Sequence, residues 1–113
     1  MKFQVGGQTW VLEFVPADHP GLDGCGGMTY PQEQLIFVST AGSVGNRLEI
    51  ACHEIQHAIN SSYTLPCDPT TGAAVPGMDE EAVALVAGKG WAEMFIRNPR
   101  LIQMLTDLGK KAR

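Results

Sequence analysis

Five consecutive residues carry most of the chemistry this chain can offer: His53-Glu54-Ile55-Gln56-His57. Two imidazoles four residues apart lie nearly one above the other on a helix, so both can reach a single ion, with Zn2+ the expected one. Glu54 sits one step round the helix, where its carboxylate can take a proton from a water beside that ion. Shuffling the three histidines and seven glutamates of this chain yields the pattern by chance only roughly 0.003 times. The competing reading is a wet helix face that happens to carry these residues. The apolar neighbours Ile50, Ala51, Ile55 and Ala58 and the strand upstream disfavour it.

A catalytic zinc takes a third protein ligand and keeps a fourth position for water. Asn60 and Tyr63 stand where an extended HExxHxxGxxH motif would carry Gly and His, and no histidine follows His57. His19 is the one other histidine, in the upstream loop. A carboxylate from the next helix is therefore the best candidate, and Asp79-Glu80-Glu81 opens that helix. Glu80 and Glu81 point about 100° apart on a helix, so one of them at most can face the metal. Steps of three and four from Glu80 reach Val83, Ala84, Ala87, Trp91 and Met94, an almost continuous apolar face. From Glu81 they reach Ala84, Leu85, Gly88, Ala92 and Phe95, a smaller set broken by glycine. The larger face should pack on the metal helix, which favours Glu80 as the third ligand, with Glu81, Asp79 and Asp68 as alternatives.

The elements that must position these residues follow from hydrophobic spacing. Phe3, Val5, Trp10, Leu12 and Phe14 alternate in two short runs around Gly6-Gly7, which predicts a β-hairpin. Pro16 to Pro31, rich in Gly and Pro, reads as a long loop, and Leu35-Ile36-Phe37-Val38 as the third strand. The spacing predicts a helix from near Ser43 through Ala58, ended by Asn60-Ser61-Ser62. Pro66 to Gly77 reads as a second loop, and a helix starting at or just before Asp79 runs through Val83, Ala87, Trp91 and Met94. Asn98-Pro99 looks like an N-cap with proline at the first helical position, and Leu101, Ile102, Leu105 and Leu108 form the buried stripe of the last helix. Gly109 to Arg113 reads as a frayed end. The expected fold is α+β: a small three-stranded sheet packed on an HExxH helix, a glutamate-bearing helix and a short C-terminal helix.

At 113 residues and 12.2 kDa, the chain is expected to form one domain over 1–113. A hydrophobic content of 44% and a charged content of 18% describe an ordinary globular protein. The net charge of -4 argues against nucleic-acid binding, which normally uses a basic face. No apolar run is long enough to cross a membrane, and residues 1–8 do not resemble a signal peptide. Three cysteines without paired spacing, Cys25, Cys52 and Cys67, suggest a reducing, cytoplasmic setting.

The segment from Leu48 to Ala58 resembles the active-site helix of gluzincin metallopeptidases, and Asp79-Glu80-Glu81-Ala82-Val83 resembles their glutamate-bearing helix. At this length the chain is most similar to minimal, phage- and prophage-associated HExxH proteins, distant relatives of ImmA/IrrE-type peptidases. The order of strand, HExxH helix, loop, acidic helix and Asn-Pro helix matches from Phe37 to Leu108, about two thirds of the chain. The resemblance implies a zincin-like fold with His53, His57 and Glu80 as zinc ligands and Glu54 as catalytic base. Gluzincins often carry Asp or Asn four residues after the ligand glutamate, to orient a ligand histidine; here that position is Ala84. Zincins also hold the substrate backbone against an exposed sheet edge. Leu35 to Ser39 could be that edge, or equally an ordinary core strand.

The expected function is that of a zinc-dependent peptidase acting on a peptide or protein substrate. The alternative is a non-catalytic, zinc-stabilised binding or regulatory module. Tyr30 or Tyr63 could stabilise an oxyanion, although each reads more simply as a packed loop anchor. Cys52 reads as a small buried apolar residue beside the motif. His19, Cys25 and Cys67 could form a second metal site only if their two loops meet. Trp91 and Met94 read as core.

Overall fold

Gly6 and Gly7, at φ 58° and 78°, supply the two left-handed positions of a tight hairpin turn. They join β1 (Lys2–Val5) to β2 (Gln8–Val15) in the antiparallel register Phe3↔Trp10 and Val5↔Gln8. The computed structural model describes residues 1–63 and 80–113, and of Glu80 the backbone alone. Over these residues the fold is α+β. A four-stranded mixed sheet of order β1-β2-β4-β3 packs on three helices, α1 (Val44–Ser62), α2 (Glu80–Arg97) and α3 (Pro99–Ala112).

The fourth strand corrects the expected three. β3 (Gly27–Tyr30) and a single 3-10 turn at Pro20–Leu22 both lie in the segment whose glycines and prolines predict a loop. β3 pairs antiparallel with β4 (Leu35–Ser39), and β4 in turn runs parallel to β2. Of the two readings of Leu35 to Ser39, the interior strand is the one that holds. The sequence of β4 shows why its apolar run is unbroken. Ile36 and Val38 join the main core beneath the helices, whereas Phe37 forms a second small cluster with Val15 and Leu22. A strand covered on both faces needs no polar alternation.

Ser43 starts α1 by accepting a hydrogen bond from the Asn46 N–H at 3.1 Å, a side-chain N-cap. Ala51, Ile55, Ala58 and Ile59 are fully buried against the sheet, and the helix runs through Ser61 and Ser62 to a C-cap at Tyr63. α2 crosses α1 at Gly90, where a Cβ would stand 2.2 Å from Cγ2 of Ile59, so the glycine that weakens the helix by propensity permits the close approach. Trp91 Nε1 donates to Gln56 Oε1 at 2.8 Å, and Gln56 Nε2 donates to Asn60 Oδ1 at 2.9 Å, tying the two helices in one register.

Two expectations for α3 need correction. Asn98 occupies the N-cap position without capping with its side chain. Its amide instead accepts from the Gln4 N–H and donates to the Gln4 carbonyl, both at 2.8 Å, so it satisfies the outer edge of β1 as a neighbouring strand would. Gly109 to Ala112 continue the helix. The predicted stripe is otherwise present, with Leu101, Leu105 and Leu108 buried. No helix among the described residues is long and apolar enough to cross a membrane.

Candidate metal centre

The middle of α1 brings His53 and His57 together on its outer side and turns Glu54 inward. The two Nε2 atoms are 3.2 Å apart, with the rings nearly perpendicular at 84°. Two nitrogens held about 2.05 Å from one tetrahedral zinc would be separated by about 3.3 Å. The same separation suits an N–H···N hydrogen bond, so the third member of the group matters. A Glu54 carboxylate oxygen lies within 4.8 Å of the imidazole nitrogens. Two imidazoles at this spacing fit two positions of a hydrolytic zinc site, and the Glu54 carboxylate beside them stands where a base for the metal's water would be.

Glu54 is only 5% exposed, an unusual position for a carboxylate. Its partner comes from the sheet. The hydroxyl of Thr29 on β3, itself 1% exposed, stands 3.2 Å from Glu54 Oε1 and 3.4 Å from the Glu54 carbonyl oxygen. Thr29 was not legible as a site residue, because nothing near it in the chain points to α1; the only local signal is the run Met28-Thr29-Tyr30 of strand-compatible residues. Gly27 completes the junction. A Cβ there would lie 2.5 Å from Ile50 Cγ2 and 3.0 Å from Glu54 Cγ, so only glycine lets the strand approach α1 this closely.

A cleft of about 420 Å³ opens between β3 and α1, bounded by Gly27, Thr29, Glu49, His53, Glu54 and His57. Among the described residues β3 is the last strand of the sheet. The Ser39 N–H donates to the Gly26 carbonyl at 2.8 Å, which places Gly26 and Met28 in positions bonded to β4. The backbone groups of Gly27 and Thr29 therefore point away from β4, along the edge beside the cleft that no described strand pairs with. The edge next to the histidines is β3, one strand beyond the stretch from Leu35 to Ser39.

The remaining candidates fall elsewhere. The Tyr30 hydroxyl donates to the Gly21 carbonyl at 2.6 Å, and its ring packs edge-on to Phe37 on the other face of the sheet. The Tyr63 hydroxyl donates to Glu93 Oε1 at 2.9 Å; burial and then this bond push the phenol pKa up. Both tyrosines are anchors, and neither lines the cleft. His19 accepts from the Gly21 N–H at 2.9 Å and packs on Phe37, so it does not join Cys25, which lines the cleft beside α1. Cys52 packs against the core, and burial raises its thiol pKa. Met94 is fully buried and Trp91 packs beside it as part of the core.

On α2, Glu81 is exposed, as are Ala84, Leu85, Gly88, Ala92 and Phe95 of its predicted face. Val83, Ala87 and Met94 of the alternative face are wholly or partly covered, whereas Ala84, common to both, is exposed. α2 begins at Glu80, whose side chain lies outside the described structure together with Cys67, Asp68, Asp79 and the predicted loop from Pro66 to Gly77. Comparison with known proteins finds no counterpart: no protein-family model, curated protein or solved structure matches this chain.

Proposed function

We propose that this chain is a minimal zinc-dependent peptidase of zincin-like fold, with His53, His57 and Glu80 as ligands and Glu54 as general base. The observation that carries the reading is the 3.2 Å separation of the two Nε2 atoms beside a buried carboxylate. When bound, zinc supplies a water of lowered pKa and polarises the scissile carbonyl. Glu54 would act as general base toward the attacking water and as general acid toward the leaving amine. An extended peptide suits the cleft, because the outward N–H and C=O groups of Gly27 and Thr29 can pair with it as a fifth strand. The test is mass-spectrometric detection of cleavage in a broad peptide mixture, abolished by a chelator and restored by zinc. Tight zinc binding with no cleavage of any peptide would replace the peptidase with a zinc-stabilised binding module.

Thr29 follows from this reading as the residue that positions the base. Its hydroxyl can donate to the carboxylate, and a hydrogen bond to a charged group contributes about 1.5–3 kcal/mol. Thr29→Val, which keeps the volume, is expected to leave zinc content unchanged and lower kcat by about tenfold or more, for a loss of about that energy. Thr29→Ser should restore most of the rate. Equal rates in the valine variant would show that Glu54 is held by other means.

Glu80 as third ligand is supported by register. Position 80 continues the series 83, 87, 90 and 94, whose last two members, Gly90 and Met94, are buried. Ala84, where gluzincins carry Asp or Asn, is exposed and has no carboxylate to offer a ligand histidine. Glu80→Gln should weaken zinc affinity far more than Glu81→Gln, as measured by competition with a chromophoric chelator. A larger loss in Glu81→Gln would reverse the assignment, and small equal losses would move it to Asp79 or Asp68.

A further inference from the structure

A second cleft, of about 510 Å³, opens between α3, the first turn of α1 and β2. It shares no residue with the cleft beside the histidines. Phe14, Met104 and Leu108 give it an apolar lining, and Arg47, Arg100 and Lys111 add positive charge. In a chain of net charge -4, this is a local reversal of sign. The one acid in the lining, Asp107, already accepts a hydrogen bond from Gln103 Nε2 at 2.9 Å. None of the three cations forms an ion pair with a described residue.

Arg47 is held in place at one end of this cleft. Its Nη2 donates to the Thr40 carbonyl at 2.7 Å, which fixes the guanidinium at this end of α1. Its Nε is buried and has no hydrogen-bond partner, alone in this among the buried side-chain nitrogens and oxygens of the described residues. Folded proteins seldom leave such a donor unpaired.

We propose that this cleft binds a small amphipathic carboxylate, with the carboxylate at Arg47 and Arg100 and a medium-length aliphatic chain on Phe14, Met104 and Leu108. A volume of about 510 Å³ falls in the range of small-molecule sites, roughly 300–1,000 Å³. The apolar lining requires an apolar portion that acetate or inorganic phosphate lacks. The guanidinium groups require an anion that an alcohol lacks, and they suit a carboxylate by their paired, planar donors.

The experiment is a titration of zinc-loaded, isotope-labelled protein with decanoate, followed by NMR at the Met104 methyl and the backbone amides. Decan-1-ol and acetate serve as controls. Saturable binding is expected, with shifts centred on Phe14, Met104 and Leu108, and with decan-1-ol at least roughly tenfold weaker because the charge-assisted bonds are missing. Arg100→Gln, at an exposed position, should weaken decanoate by about tenfold without disturbing the fold, since removing a charge-assisted bond has that order of effect. Arg47→Gln should weaken decanoate by a similar factor, although it also removes the bond to the Thr40 carbonyl. Absence of saturation, equal affinity for decan-1-ol, unchanged affinity in both variants, or shifts centred on Ile50 and Met28 would each overturn the proposal. Tighter binding of an acidic amphipathic peptide than of decanoate would overturn it as well, in favour of a protein-docking groove.

Discussion

Glu54→Gln is expected to retain one zinc per chain and to lose peptide hydrolysis by about a hundredfold to ten-thousandfold, the usual contribution of a positioned acid–base group. Glutamine keeps the volume of the side chain and an oxygen for the Thr29 hydroxyl, which lies 3.2 Å from Oε1 in the native chain. It cannot accept the proton of the attacking water. The fold and the two histidines should therefore be undisturbed while the chemical step fails. Elemental analysis and peptide turnover on the same preparation decide the matter. Full activity in the variant would remove Glu54 from the role of base, and loss of zinc along with activity would make it a ligand instead.

His53→Ala should abolish stoichiometric zinc binding and separate the stability of the fold from that of the metal centre. His53 is exposed, so its truncation leaves no cavity and should change the stability of the metal-free protein by little, within about 0.5 kcal/mol. With zinc the comparison is different. A ligand that binds only the folded state at a hundred times its Kd stabilises by about 2.7 kcal/mol. For a domain of this size that amounts to roughly 10 °C in Tm. The expected result is a large zinc-dependent rise in the melting temperature of the native chain and almost none in His53→Ala. Melting curves with zinc and with chelator measure both. Equal zinc responses in the two proteins would place the bound metal elsewhere.

The two effects differ because the three polar residues of the motif stand in different surroundings. His53 reaches outward into a cleft, where its loss costs the fold little. Glu54 is enclosed by α1 and β3, and Gly27 leaves room for it at the junction. A carboxylate brought into such a space must be hydrogen-bonded, and the Thr29 hydroxyl is the group placed to do it.

What the sequence by itself determined about this protein is what local periodicity and short-range chemistry control. The i, i+4 histidines converge because the α-helix has 3.6 residues per turn, and the N-cap at Ser43 and the Gly6-Gly7 turn depend on residues close in the chain. The apolar stripe of α3 is legible for the same reason. Tertiary structure alone decided which strand borders the site. The stretch from Pro16 to Pro31 has the composition of a loop, and β3 exists within it because β4 provides its hydrogen-bonding partner and α1 covers Gly27 and Thr29. Asn98 shows the same limit: its local context predicts a helix cap, but the edge of β1, 94 residues away in the chain, offers its amide two hydrogen bonds at once. Contacts of such long sequence separation leave no periodic trace, because the chain must close a large loop before either partner is stabilised.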